Sequence, residues 1–209
     1  MNKKILLVIN LIGILIFTFS IPAYADTVEA DDAAESKHTI VTTTEAERDA
    51  MYEKEMEKVM EKIEKEDSIA KGPKYQYKTV KKSPVYTTAK GYAGNQVAGG
   101  YRFKTGGGFW HTDSGGPSID AQATVNFPAP FEKVFAFSVT LGVKGPSNSG
   151  IYVEAPDKTN YYRLYIKKTM EVRRSITYRA PKGTDDWEVY NCTSVPVLYK
   201  IDASAKKVS

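Results

Sequence analysis

The 209-residue chain has one cysteine, Cys192, and two histidines, His38 and His111. A single cysteine excludes an intramolecular disulfide, so the fold must rest on its own hydrophobic core. Cys192 falls in the extended run Trp187-Glu-Val-Tyr-Asn-Cys, where a small buried side chain is the expected role. A thiol nucleophile there would lack a base nearby in sequence. Asn191-Cys-Thr193 has the spacing of a glycosylation acceptor, a chance match in a chain with a bacterial type of signal. Carboxylates are sparse beyond residue 67, ten in all, and no glycosidase pair can be picked out. No Gly-Lys-Ser/Thr follows the glycine-rich stretch, which excludes a phosphate cradle of the nucleotide-binding kind.

Long apolar runs are scarce too; only Ile5 to Ile21 approaches membrane-spanning length. Lys3 and Lys4 precede it, and Ala23-Tyr24-Ala25 follows with the small-x-small pattern of a cleavage site. Residues 1–25 are therefore expected to be a signal peptide, cleaved after Ala25, and the rest secreted.

Residues 26–43 are acidic and low in aromatics, which predicts a disordered arm. Thr44-Glu-Ala-Glu47 has the spacing of a capping box and opens an amphipathic helix expected over 44–67. Tyr52, Met56, Val59, Met60 and Ile63 line one helical face. That stripe requires cover, either the rest of the chain or a protein partner in a coiled-coil contact.

After Gly72-Pro73 the pattern becomes extended. Residues 68–118 predict short strands around Ser83-Pro84 and a glycine-rich loop, with nine glycines between Gly91 and Ser118. Residues 119–209, continuous with 74–118, predict the core of a β domain. Its centre is Val134-Phe-Ala-Phe-Ser-Val-Thr-Leu141, whose apolar residues alternate with period two. Ile119 to Phe127 alternates more cleanly still. Two further runs, 161–167 and 170–179, predict a hairpin turning near Lys168-Thr169. Pro181 to Asp186 is a further turn, and Val195 to Ile201 the final strand. The expected fold is mainly β: an antiparallel sandwich or barrel-like domain preceded by an acidic amphipathic α-helix.

Charge is divided unevenly. Asp26 to Asp67 holds 15 acidic and 6 basic residues, whereas Ser68 to Ser209 holds 10 acidic and 21 basic. The outward residues of the predicted hairpin, Tyr161, Arg163, Tyr165, Lys167, Arg173 and Arg179, make the candidate binding face. Cations supply long-range attraction and tyrosines flat contact area. Phe109 and Trp110 are a second candidate, carried on a mobile loop at Gly106 to His111 that could meet a membrane or a sugar.

Asp113-Ser-Gly-Gly-Pro117 resembles the segment around the nucleophile of trypsin-like serine proteases, which implies Ser114 in that role. The resemblance covers five residues, and Thr112 stands where that family has glycine. A base and its orienting carboxylate must precede the serine by long intervals in that family, and the chain before Ser114 has no room for them. A Gly-Pro turn is the plain reading. His111 with Asp113 falls short of a metal ligand set, and Asp185, Asp186 and Glu188 match no calcium loop. No cofactor is expected.

The chain therefore reads as a secreted, non-enzymatic binding protein whose basic β domain contacts an anionic cell-wall polymer or an anionic membrane. Nucleic acid is not the expected partner. The alternative is a secreted toxin or antimicrobial effector with the acidic N-terminal arm as mask or pro-segment of the basic domain.

Overall fold

A computed structural model describes residues 37–70, 72 and 74–208. The expected signal peptide, its cleavage site and the arm up to residue 36 lie outside the described residues. In chain order the elements are β1 (His38–Thr42), α1 (Glu45–Ile69), β2 (Tyr75–Tyr92), β3 (Gly108–Thr112) and β4 (Ser118–Thr124). There follow β5 (Val134–Thr140), β6 (Val143–Lys144), β7 (Ile151–Glu154), β8 (Tyr162–Pro181) and β9 (Glu188–Lys207). Among the described residues the protein is mainly β, with antiparallel sheets and one helix.

The central sheet has the order β1-β9-β8-β2. Its long strands β2, β8 and β9 run 18, 20 and 20 residues. The remaining strands form a three-stranded sheet, β6-β3-β7, and the pair β4-β5. Among the described residues the sheets are not closed.

Strand parity explains the packing. Side chains alternate across a strand, and even-numbered β8 residues point to the covered face. Leu164 and Ile166 pack with Phe109 of β3, Val153 of β7, and Ile201 and Ala203 of β9. Farther along, Val172 and Ile176 meet Ala123, Val125 and Phe127 in and just beyond β4. Between them Ala121, Val139 and Leu141 gather on Ala89, with Met170 beside them. Of the expected central run, Val134 to Leu141, the residues Val134–Thr140 form β5, which pairs with β4 alone, whereas β8 is an inner strand of the four-stranded sheet.

The short strands predicted around Ser83-Pro84 are one strand. Proline lacks a ladder donor, and the register shift between Lys82 and Val85 takes it out of the pairing. Arg174 Nε donates to the freed Ser83 carbonyl at 2.9 Å. The hairpin turn predicted near Lys168 is likewise absent: β8 continues through it, with a bulge against β9 between Thr169 and Met170. Lys168 points inward at 5 % exposure, where its ammonium meets Asp113 and donates to the Thr140 carbonyl at 2.5 Å. A buried lysine with a carboxylate partner is invisible to a reading that takes polar pairs as turns.

Two more expectations are corrected. Residues 38–42 of the predicted disordered arm form β1, because β9 extends to Lys207 and offers Lys200–Ser204 as a template. The predicted mobile loop contains β3, held between β6 and β7. Gly108 is required there: a Cβ would lie 2.0 Å from the Val153 carbonyl oxygen.

The helix begins at the predicted cap. Thr44 Oγ1 accepts from Glu47 N–H at 3.2 Å, and the Glu47 carboxylate accepts from Thr44 N–H at 2.7 Å. Its buried stripe is Arg48, Tyr52, Met56 and Ile63. Tyr52 and Met56 pack on Val195 and Val197 of β9, and Ser175 Oγ donates to Met56 Sδ at 3.4 Å. The stripe therefore sits on the face of the central sheet opposite the small sheets.

Leu164 is fully buried in the larger core cluster. Leu164→Ala is expected to destabilise the fold by about 3 kcal/mol, read as a lower midpoint in urea unfolding at unchanged slope.

Candidate anion-binding face

The odd-numbered residues of β8 and their register partners make the second face of the central sheet. Directly opposed residues share a face. One row is Tyr92, Tyr165, Ser204 and His38; the next is Lys90, Lys167, Asp202 and Ile40. Arg163 and Lys206 form a third row beyond the tyrosines. Tyr161 lies just outside the strand and is exposed.

The rings and cations of this end interlock. The Arg163 guanidinium lies 4.0 Å from the centroid of Tyr92, and Lys206 Nζ lies 4.1 Å from that of Tyr165. The two rings meet edge to face at 5.3 Å and 82°. Burial lifts the Tyr165 phenol above its ordinary value, so it stays neutral and packs as an apolar body. Among the described residues no ion pair engages Lys90, Arg163, Lys167 or Lys206. Asp202, the carboxylate in these rows, accepts from His38 Nδ1 at 2.7 Å.

The other end of the same face is covered and neutralised. Glu171, 3 % exposed, lies 2.8 Å from Arg48 Nε and 2.8 Å from Arg173 Nε. Arg173 also meets Asp49, and Glu45 at 2.6 Å, both on the helix. Lys81 of β2 pairs with Glu53 at 2.7 Å. The helix carboxylates thus act as counter-ions for the sheet cations beneath them. Hydrogen bonds from Arg173 and then Arg48 hold the Glu45 carboxyl below its ordinary value, and its Thr44 partners lower that of Glu47.

The predicted site residues accordingly separate into groups. Tyr161, Arg163, Tyr165 and Lys167 come together at the open end. Arg173 shares their face but lies under the helix, its side chain 11 % exposed. Arg179 is at the far end, paired with Glu188 at 2.6 Å and set between the rings of Tyr75 and Tyr190. Phe109 is 2 % exposed and belongs to the core, because β3 turns that side of its strand inward. Trp110 is half-buried against Tyr152 at 5.1 Å on the opposite side of β3. Sequence reasoning missed Lys90, Tyr92 and Lys206. The alternation Thr88-Ala-Lys90-Gly-Tyr92 was a usable signal for the first two.

The segment resembling a protease motif has a different arrangement. His111 is 1 % exposed, and its Nε2 lies 3.0 Å from the Leu141 carbonyl oxygen. Gly142, at φ +80°, lets the chain pass: a Cβ there would lie 2.4 Å from that nitrogen. Asp113 faces Lys168. Among the described residues no hydrogen bond joins Ser114 to His111 or Asp113. No cluster of three or more potential metal ligands occurs among them either.

Comparison with protein-family models, with curated proteins and with solved structures returns no match. The fold and this face define the class: a mainly antiparallel β domain, half of one sheet face neutralised by its own helix and half left cationic.

Glu171→Ala would leave Arg48 and Arg173 without their buried partner and is expected to cost about 3–5 kcal/mol, measured by chemical unfolding. A separate expectation concerns acid. Burial lowers the pKa of His111 below its ordinary 6.5, so its stabilising contribution is present above that pH and is lost as pH falls. Glu45 and Glu47 are also lowered, and their contributions are lost as pH falls below about 4.5. Thermal midpoints should decline in two steps on acidification, and His111→Gln, which keeps a donor for Leu141, should remove only the first.

Proposed function

We propose that the chain is an exported, non-enzymatic binding protein whose β domain contacts an anionic polymer or membrane at the cell exterior. The observation that carries this reading is the open end of the central sheet. Among the described residues, four cations, Lys90, Arg163, Lys167 and Lys206, stand there without an ion pair, as does Lys200 in the adjoining row, while Lys81, Arg173 and Arg179 farther along the same face are paired. Arg163 and Lys206 are also fixed on rings, which reduces the side-chain entropy lost on binding. The export assignment rests on Lys3, Lys4, the apolar run Ile5 to Ile21, and Ala23-Tyr24-Ala25.

One observation favours the second reading, a toxin or antimicrobial effector with an acidic mask. Glu45, Asp49 and Glu53 of the helix occupy Arg173 and Lys81, as an external anion would. In that reading loss of the helix contact exposes Arg173 and Lys81 and enlarges the cationic face.

The test is binding of the exported protein to anionic vesicles and to purified bacterial cell walls across a salt series. Affinity should fall steeply as salt rises, and the double variant Lys90→Glu, Lys167→Glu should weaken it at least about tenfold. Undiminished binding by that variant sinks the proposal. Glu45→Gln with Asp49→Asn separates the two readings: it strengthens binding only where the helix masks the face.

A further inference from the structure

This inference rests on the anion-binding reading above and narrows it to one ligand class. The aromatic residues of the open end are poorly placed to receive a ring. Arg163 covers Tyr92 and Lys206 covers Tyr165, and the edge of one tyrosine meets the other. A sugar or base could stack on these faces only after displacing a cation. What the surface presents is charge, in two cationic rows separated by the tyrosine row. Alternate residues on a strand are about 6.6 Å apart, so the rows lie about 13 Å apart.

The surroundings discriminate between a polymer and a membrane. The helix stands on the same sheet face and begins beyond the open end, with Glu45 on Arg173; from there it runs away from the cationic rows, with Met56 on Ser175. A helix is about 10 Å thick, so the cationic rows lie at the foot of a step. The end of the helix nearest the rows carries the first-turn carboxylates Glu45 and Glu47. A flat anionic bilayer approaching the rows would meet the carboxylates first, whereas a flexible chain can follow the foot of the step.

We infer that the open end binds a linear, phosphate-bearing polymer through its charges alone, with Tyr92 and Tyr165 as positioning residues that hold Arg163 and Lys206 toward it. Arginine offers a planar fork of donors to a phosphate and lysine a compact point charge. Removing a supporting ring frees its cation to wander and weakens each phosphate contact. Removing only the ring's hydroxyl leaves the support in place.

The experiment uses the exported protein with inorganic polyphosphate, an oligodeoxynucleotide of matched charge, and anionic phospholipid vesicles. Polyphosphate is expected to bind with log affinity falling against log salt at a slope of about −3 for four cations. The oligonucleotide should bind no more than about twofold tighter, since stacked bases would add far more than that. Tyr92→Leu should weaken polyphosphate binding about two- to fivefold at an unchanged melting temperature, while Tyr92→Phe should match the parent. Lys206→Gln deletes a cation without touching a ring and should reduce the magnitude of the slope by about 0.7. A Tyr92→Leu variant that binds as tightly as the parent, or an oligonucleotide bound tenfold tighter, overturns the inference. Capture of vesicles without polyphosphate overturns it and leaves the broader reading standing; binding of neither overturns both.

Discussion

Strand β8 is hydrogen-bonded along its length to β2 on one side and to β9 on the other. Being interior to the sheet, it has no edge to expose, and its only freedom is which side chain points to which face. Parity therefore assigns every residue from Tyr162 to Pro181 to one of two environments. Even positions build the core against the small sheets; odd positions make the charged face. Sliding the register by one residue would send Leu164, Ile166 and Val172 into water and Arg163 and Arg173 inward. Core and charged face are thus two consequences of one alignment, and neither can drift without the other.

The charged face is itself managed in two ways. Under the helix, Glu171 sits between two arginines and the helix supplies further carboxylates, so the buried charges are compensated in place. At the open end the same problem is solved by exposure and by aromatic support. The uneven division of charge along the chain has a spatial meaning in consequence. The acidic helix is laid over one half of the charged face and pairs with Lys81 and Arg173 there.

Much of this organisation was legible in the sequence. Thr44 and Glu47 announced the helix start, and alternation from Ile119 onward announced an antiparallel domain. What escaped was mostly length. Ser83-Pro84 and Lys168-Thr169 look like interruptions because proline lacks a donor and lysine prefers water. The bulge beside Pro84 and the Asp113 partner of Lys168 remove those objections, and both depend on residues distant in sequence. The site was legible to the same degree: Arg163, Tyr165 and Lys167 share one strand, with Tyr161 just before it, and so were found together. Lys90, Tyr92 and Lys206 join them only through cross-strand register. Arg173 left the group because of a helix more than a hundred residues earlier.

The break at Ser83-Pro84 has a consequence for behaviour in company. β2 is an outer strand of the central sheet, and such strands invite a neighbour's backbone to add on. Copies of a protein held side by side and similarly oriented bring such edges together. With a proline, a kink in the ladder, and Lys81 and Lys82 beside it, that border is a poor template for another strand. A high local concentration of the protein would then not readily lead to fibrils.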